Sequence, residues 1–193
     1  MVFYGKSVKR CSVEVNRRKQ DVKLILISYL FNFLNIVKLQ FIVIGKTIDK
    51  HMDALINEYV GRVKHYLPFE LEVIPELKNT KALTFEQQKQ READLLQKSF
   101  RDGDYVVLLD EGGKEFRSVE FANYLQQKQS VAARRLVFVV GGPYGFDASI
   151  YALAKEKISL SRMTFSHQMV RLFFVEQVYR GLTILRGEPY HHE

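Results

Sequence analysis

A buried strand that runs directly into a glycine-containing loop is the first feature of this sequence that suggests chemistry. Residues 136–145 read LVFVVGGPYG. Glycine lets a backbone approach a ligand closely or adopt a positive φ, and α/β proteins bind ligands at the carboxyl ends of parallel strands. The spacing matches neither the dinucleotide-binding nor the phosphate-loop fingerprint. The loop is therefore a candidate cofactor site, with a purely structural turn as the alternative.

A second predicted strand ends in the same way. Residues 106–110 read VVLLD and are followed by EGGK. We expect the two glycine turns to lie at one edge of the sheet, because ligand sites of α/β sheets form where parallel strands end. Asp110 either orients a ligand or caps the turn, and capping is the ordinary role of such an aspartate.

A third loop, residues 159–165 with the sequence SLSRMTF, precedes the last predicted helix. It combines backbone donors, hydroxyl groups and apolar side chains. Such a loop can hold an adenosine between apolar residues while main-chain groups bind its edge. A plain connection between a strand and a helix is the alternative.

Arg171 lies within the apolar side of the last predicted helix. Its neighbours there, at about 100° per residue, are Val175, Val178 and Leu182. A narrow polar wedge on another side holds Glu176, Arg180 and Thr183. Arg171 either contacts a phosphate or a base, pairs across a dimer interface, or extends to solvent. Because most of the circumference is apolar, we expect the helix to be covered on more than one side, which favours a subunit interface.

The C-terminal tail, residues 186–193, reads RGEPYHHE. A terminal peptide is usually frayed, but Tyr190 is suited to stack on a base and His191 to move a proton near neutral pH. The basic residues after Lys157 are all arginines, whose planar donors suit phosphate or carboxylate: Arg162, Arg171, Arg180 and Arg186. We therefore expect contacts with any polyanionic partner to lie near the C-terminal arginines and the tail.

These residues need a framework, and the pattern from Lys38 onward predicts one. Short apolar runs alternate with helical patterns, which is typical of an α/β fold with a mostly parallel sheet flanked by helices. The predicted strands are Leu39–Ile44, Leu71–Ile74, Tyr105–Asp110, Leu136–Val140 and Ile158–Leu160. The predicted helices are His51–Tyr66, Phe85–Phe100, Ser118–Gln129 and His167–Leu185.

Length and cysteine content exclude several classes of protein. The 193 residues fit one compact domain. The single cysteine, Cys11, allows neither a disulfide within the chain nor a cysteine-based zinc site. The five histidines lack the spacing of a metalloprotease. We expect no structural metal and a reducing, cytoplasmic location.

The formal charge of +7 is concentrated at the start of the chain. Residues 1 to 36 hold seven basic and two acidic side chains, which leaves a net charge of only +2 for the rest. Any RNA contact of the main domain must therefore come from a local basic cluster.

Residues 1 to 36 do not belong to the α/β pattern. Their apolar stretch, residues 24–35, is too short and too polar to span a bilayer, and no signal-peptide cleavage site follows it. We interpret them as an N-terminal extension that arises from a mis-assigned start, with the natural beginning at Val37. The alternatives are a lineage-specific surface helix and a segment for membrane attachment or export.

The segments GGPYG, LSRMTFSHQMVRLFFVEQVYR and ILRGEPYHHE together resemble the SPOUT class of methyltransferases, and specifically the ribosomal RNA large subunit methyltransferase H family. The resemblance covers residues 37–193, and residues 1–36 depart from it. It implies a single SPOUT methyltransferase domain with a C-terminal trefoil knot, an exception to the rule that chains do not thread loops. It also implies a homodimer, with no membrane partner.

The activity implied by the resemblance is S-adenosylmethionine-dependent methylation of N3 of a pseudouridine in 23S ribosomal RNA, within the assembled ribosome. By motif matching, the cofactor contacts fall on Leu109, Gly141, Leu160, Ser161, Arg162, Met163, Thr164 and Phe165. The catalytic candidates are Arg171, Arg180, Tyr190 and His191.

The chemistry itself sets simple requirements. Methyl transfer from a sulfonium to a ring nitrogen is an in-line displacement, so positioning is a major contribution and no metal is required. The N3 proton must leave, so a base, or an arginine that favours the anion, is useful. Which candidate is the base stays open. The rival function is a non-catalytic, ribosome-associated nucleotide-binding protein.

Overall fold

Five parallel strands form the sheet at the centre of the protein. The computed structural model describes residues 37–129 and 133–191, so the hypothesis about residues 1 to 36 lies outside the described residues. The strands are β1 (Lys38–Ile44), β2 (Phe69–Ile74), β3 (Asp104–Glu115), β4 (Arg135–Val140) and β5 (Glu156–Ser159). Their order is β2-β1-β4-β3-β5, with every neighbouring pair parallel. The predicted α/β class is confirmed, and the knot stays a prediction.

Helices connect the strands, as the alternating pattern predicts. They are α1 (Lys50–Lys64), α2 (Phe85–Ser99), α3 (Ser118–Gln129), α4 (Ala148–Leu153) and α5 (Met169–Leu185), with a 3-10 turn at Thr80–Ala82. Helix α4 is not predicted from sequence, because its six residues bury only Ile150 and show no helical period. It begins where the Asp147 side chain accepts a hydrogen bond from the Ser149 nitrogen at 2.8 Å.

One face of the sheet packs against α2 and α4. Ile42 of β1 and Val139 of β4 lie in one buried cluster with Leu96 of α2 and Ile150 of α4. Alternate strand residues point to opposite faces, so the neighbours of Ile42 and Val139 along each strand face the other way. This cluster holds α2 and α4 against the sheet.

The opposite face packs against α5. The Phe174 ring of α5 lies 4.5 Å from Phe41 of β1 and 4.8 Å from Phe138 of β4, measured between ring centroids. Helices α1 and α3 contact α5 from its two sides. The last helix is therefore held by three partners within one chain.

Strand β3 extends beyond its predicted end. Its first part pairs with β4, and after Leu109 the register with β5 shifts and resumes where Lys114 pairs with Ile158. Gly113 permits the close approach, since a Cβ there would lie 2.6 Å from the Ile158 nitrogen. Sequence reading ended the strand at Asp110, because the glycine pair interrupts the apolar run.

A buried ion pair stabilises the amino end of the sheet. Arg135 of β4 donates to both carboxylate oxygens of Asp104, at 2.8 and 2.5 Å, and to the Ser99 carbonyl at 3.0 Å. It also donates to the Gln40 side chain. The two charged side chains are only 6% and 3% exposed. Loss of one partner would leave the other charge buried and uncompensated.

We expect Arg135→Met to lower the free energy of unfolding by about 3–5 kcal/mol, because it leaves the Asp104 carboxylate buried without its counter-ion. Lys38→Met is the matched control, since Lys38 pairs with Glu70 at the same end of the sheet but both side chains are nearly half exposed. Its effect should stay below about 1 kcal/mol. Urea unfolding measures both, and equal effects would contradict this assignment.

Candidate active site

A cavity of about 780 Å³ lies beside the carboxyl ends of β4 and β5 and the middle of β3. Its wall is formed by residues 109–111, 140–146, 158–161 and 163–167, together with Lys89, Tyr151 and Val170. The volume falls within the range of roughly 300–1,000 Å³ that is typical of small-molecule sites. The structure thus brings the GGPYG loop, the middle of β3 and the loop before the last helix to one place, whereas Gly112 and Gly113, predicted as a turn, continue β3 and lie outside the wall.

The glycine loop between β4 and α4 is closed by its own backbone. The Gly145 nitrogen donates to the Gly142 carbonyl at 3.1 Å, and the φ of +78° at Gly145 favours glycine. A Cβ at Gly141 would lie 3.2 Å from the Gly145 oxygen and from a ring carbon of Phe146. A Cβ at Gly142 would lie 2.8 Å from the carboxyl carbon of Glu92. Bare backbone therefore forms this part of the wall.

Asp110 lies within β3 at the register shift, so the turn predicted after it is wrong. Its carboxylate accepts hydrogen bonds from the Gly112 nitrogen at 2.9 Å and from the Tyr151 hydroxyl at 2.5 Å. Burial raises the pKa of Tyr151 to about 12, and the hydrogen bond to Asp110 acts in the same direction. Asp110 thus braces β3 at the register shift and joins it to α4, so its role is to hold the edge of the pocket.

The loop before α5 is braced by its hydroxyl groups. Ser159 Oγ donates to the Ser161 carbonyl at 2.9 Å, and the Met163 nitrogen donates to Ser161 Oγ at 2.9 Å. The Met163 side chain is 75% exposed at the pocket. Arg162 is absent from the pocket wall and instead donates to Glu115 at 3.2 Å. Of the predicted cofactor contacts, the structure gathers all but Arg162 around the cavity.

Sequence reasoning gave no individual site role to several further residues of the wall, among them Lys89, Tyr144, Tyr151 and His167. Tyr144 lies inside the GGPYG segment, and His167 follows the SLSRMTF loop by two positions, so proximity to each motif was an available signal. Lys89 and Tyr151 come from α2 and α4, and no local pattern marks them.

Arg171 is buried and bound by backbone oxygens. Its guanidinium donates to the carbonyls of Ile44 and Gly45 at 2.6 and 2.8 Å, and to the His167 carbonyl at 3.0 Å. It also lies 3.2 Å from Thr47 Oγ1. Burial lowers the pKa of Arg171, and the nearby Glu76 partly opposes that shift. These contacts fix the end of β1 to the start of α5, which is a positioning role, and a catalytic contact of Arg171 stays a prediction.

Arg180 and Tyr190 meet on the far half of α5. Arg180 donates twice to Glu176, at 3.0 and 2.6 Å, and its guanidinium carbon lies 4.8 Å from the Tyr190 ring centroid. The Tyr190 hydroxyl donates to Glu176 at 3.1 Å and lies 3.2 Å from the Tyr59 hydroxyl. Burial, with the hydrogen bond to Tyr59, raises the pKa of Tyr190. The tail is thus folded back onto α1 and α5.

These residues belong to a larger group that we call the tyrosine–arginine cluster: Tyr59, Tyr66, Tyr179, Tyr190, Arg62, Arg180 and Arg186. Its arginines lie over its rings, for example Arg186 at 4.4 Å from the Tyr66 centroid. The pocket wall contains none of them, nor His191. From Val170, at the pocket, to Arg180 the helix rises by about 15 Å. Within one chain, the structure separates these catalytic candidates from the cofactor candidates.

Two further classes of site were searched for in the residues that the structure describes. No helix of residues 37–129 and 133–191 is long and apolar enough to cross a bilayer. The same ranges contain no group of three or more histidine, cysteine or acidic side chains suited to a metal ion.

Comparison with known proteins places this site in a family. A family model described as "Predicted SPOUT methyltransferase" matches residues 37–191. Two relatives named "Ribosomal RNA large subunit methyltransferase H", from Phocaeicola vulgatus and Bacteroides fragilis, are 60% and 58% identical over 157 residues, which is 81% of this chain and 100% of each relative.

Among solved structures, a tRNA (m1G37) methyltransferase from Aquifex aeolicus is 18% identical with a TM-score of 0.49, covering 81% of this chain and 75% of that one. The family assignment therefore depends on the sequence matches, which extend over the strands and loops that form the pocket. On these matches, the chain belongs to the SPOUT methyltransferase family.

Proposed function

We propose that this chain uses S-adenosylmethionine to methylate N3 of a pseudouridine in 23S ribosomal RNA, within the assembled ribosome in the cytoplasm. The observation that carries the proposal is the pocket, whose wall includes Leu109, Gly141, Leu160, Ser161, Met163, Thr164 and Phe165. The relatives' names point to the same class of RNA substrate.

The residues of the pocket fit this cofactor. Leu109, Leu160 and Phe165 offer apolar walls for an adenosine, while Ser161, Thr164 and the bare backbone at Gly141 offer polar contacts and space. When bound, S-adenosylmethionine supplies an electrophilic methyl group. The chain orients the reacting atoms, which is the main requirement of an in-line displacement.

The N3 proton of the acceptor ring has to be removed, and Arg180, Tyr190 and His191 remain our candidates for this step. Arg180 is held in one orientation by Glu176 and by the Tyr190 ring. His191 Nδ1 is buried with no hydrogen-bond partner among the described residues, and an imidazole can exchange a proton near neutral pH.

The tyrosine–arginine cluster suits an RNA partner. Unpaired bases stack on aromatic rings and on guanidinium planes, and the cluster offers both side by side. It also meets the requirement that a nearly neutral domain concentrate its basic contacts in one place. We propose that this surface contacts the ribosomal RNA next to the target base.

We also propose a homodimer. The sequence-based argument was that α5 needs cover on several sides, and the structure shows that α1, α3 and the sheet supply much of that cover within one chain. Apolar side chains nevertheless remain exposed, including Ile48 at 78% and Phe173 at 38%. Light scattering should give twice the chain mass of 22.6 kDa. The chain mass alone would contradict the dimer.

Transfer of a radiolabelled methyl group tests the activity and its rival together. Purified ribosomes that lack the modification are incubated with the protein and labelled S-adenosylmethionine, and the labelled nucleotide is identified by digestion of the 23S RNA. Label in 3-methylpseudouridine supports the proposal. Binding of the cofactor without transfer would instead favour the non-catalytic, ribosome-associated nucleotide-binding protein.

We expect Gly141→Val to weaken S-adenosylmethionine binding at least about ten-fold, because its side chain enters the loop and the space for the ligand. Gly61→Ala on α1 is the control, since nothing lies within 4 Å of a Cβ there. Calorimetric titration measures both affinities. Unchanged affinity in Gly141→Val, with the fold intact by circular dichroism, would refute the site.

We expect Tyr190→Ala and Arg180→Ala to reduce methyl transfer at least about ten-fold while cofactor affinity changes little, because both residues lie outside the pocket wall. Arg91→Ala removes an exposed arginine from α2 and serves as the control. Single-turnover transfer and calorimetry separate the two effects. A parallel fall in cofactor affinity would show that the tail belongs to the cofactor site.

We propose that residues 37–193 form a single SPOUT methyltransferase domain and that residues 1–36 are dispensable for catalysis. A chain in which methionine replaces Val37 as the first residue should fold and methylate ribosomes at the rate of the full chain. The family model begins at residue 37, which supports this expectation. Aggregation or loss of activity would show that the extension is structural.

A further inference from the structure

A buried carboxylate with an unpaired oxygen lies directly behind the glycine loop. Glu92 of α2 is 4% exposed. Its Oε1 accepts a hydrogen bond from Gln88 at 2.9 Å, whereas Oε2 is buried with no hydrogen-bond partner among the described residues. Most buried polar atoms are satisfied, so this oxygen requires an explanation.

The charges around Glu92 do not compensate it. Burial raises the pKa of Glu92, the hydrogen bond from Gln88 partly opposes that shift, and the neighbouring carboxylate of Glu76 adds to it. Lys89 lies one turn earlier on α2 and lines the pocket, but it is paired with Glu86 at 2.8 Å. Burying a carboxylate without a counter-ion costs stability, and such groups concentrate at functional sites.

The Glu92 carboxylate is separated from the pocket by one glycine. Gly142 lines the cavity, and the carboxyl carbon of Glu92 occupies the space that a side chain at Gly142 would take, 2.8 Å from an ideal Cβ. The carboxyl group is therefore adjacent to a residue of the wall without being part of the wall. A charge close to a bound ion acts on it more strongly through protein than through water, because the effective dielectric constant is lower.

We propose that Glu92 is the counter-charge of the cofactor's sulfonium and makes the pocket prefer the cationic methyl donor to its neutral product. The inference rests on the proposed use of S-adenosylmethionine. Donor and product share the adenosine and the amino acid, so shape and hydrogen bonds discriminate weakly between them. They differ by one methyl group and one positive charge at the sulfur, and Glu92 responds to the charge.

The reaction removes the partner of Glu92. The methyl group moves from sulfur to N3, the sulfur keeps the bonding electron pair and becomes a neutral thioether, and the N3 proton passes to a base. The carboxylate then again lacks a counter-charge, which weakens the binding of S-adenosylhomocysteine. Glu92 is thus a specificity-determining residue that acts through the field it creates, and not by contact with the methyl group.

The test is Glu92→Gln, which removes the charge and keeps the shape. Calorimetry is performed with S-adenosylmethionine, with sinefungin, whose amine is positively charged in place of the sulfonium, and with S-adenosylhomocysteine. We expect the affinities for the two cationic ligands to fall about ten-fold, while the affinity for the neutral product changes by less than about two-fold. Asp94→Asn, an exposed carboxylate on the same helix, should change none of them.

Thermal melting of the free protein gives a second readout. Glu92→Gln should melt at or above the temperature of the unchanged protein, because it removes an unpaired buried charge. An equal loss of affinity for all three ligands, or no loss for any, would overturn the inference. Failure of the unchanged protein to bind S-adenosylmethionine would refute the proposed function, and the inference with it. Binding of the donor without discrimination by charge would refute the inference alone.

Discussion

The guanidinium of Arg171 holds together the two elements between which the pocket forms. Its hydrogen bonds to the carbonyls of Ile44 and Gly45 join the end of β1 to the first turn of α5, across 126 or more positions of sequence. A further bond to the His167 carbonyl fixes the approach to the helix. The loop that carries the cofactor candidates ends at this point, so its path depends on the contact.

Helix α5 then sets the distance between the two functional regions. Val170 at its amino end lines the pocket, whereas Arg180 and the folded tail lie about 15 Å further along the axis. The helix is buried against the sheet through Phe174 and contacts α1 and α3. A rigid spacer of this kind keeps the cofactor region and the tyrosine–arginine cluster at a fixed separation.

The two ends of the sheet differ in how their buried ionisable side chains are paired. At the amino end, Arg135 and Asp104 are buried together and their donors and acceptors are matched, so the charges support the fold. At the carboxyl end, Glu92 is buried beside Gly142, and one of its oxygens has no hydrogen-bond partner within residues 37–129 and 133–191. Proteins tolerate such local losses of stability at sites where a ligand provides the missing partner.

The sequence by itself determined most of the elements and most of the pocket. Periodicity depends on neighbouring residues, so the strands and the four longer helices were predictable, and the glycine segment and the SLSRMTF loop identified much of the wall. Helix α4 and the extension of β3 were missed, because a single turn and a glycine pair carry no period.

Only the tertiary structure decided which side chains meet across the chain. In the folded chain, Arg162 pairs with Glu115, Arg171 donates to carbonyl oxygens, and Glu92 packs against Gly142. The tertiary structure also separates the tail from the pocket. The physical reason is that the role of a charged or polar side chain depends on the groups that pack against it. Those groups lie tens of residues away in the sequence, so no local sequence pattern predicts them.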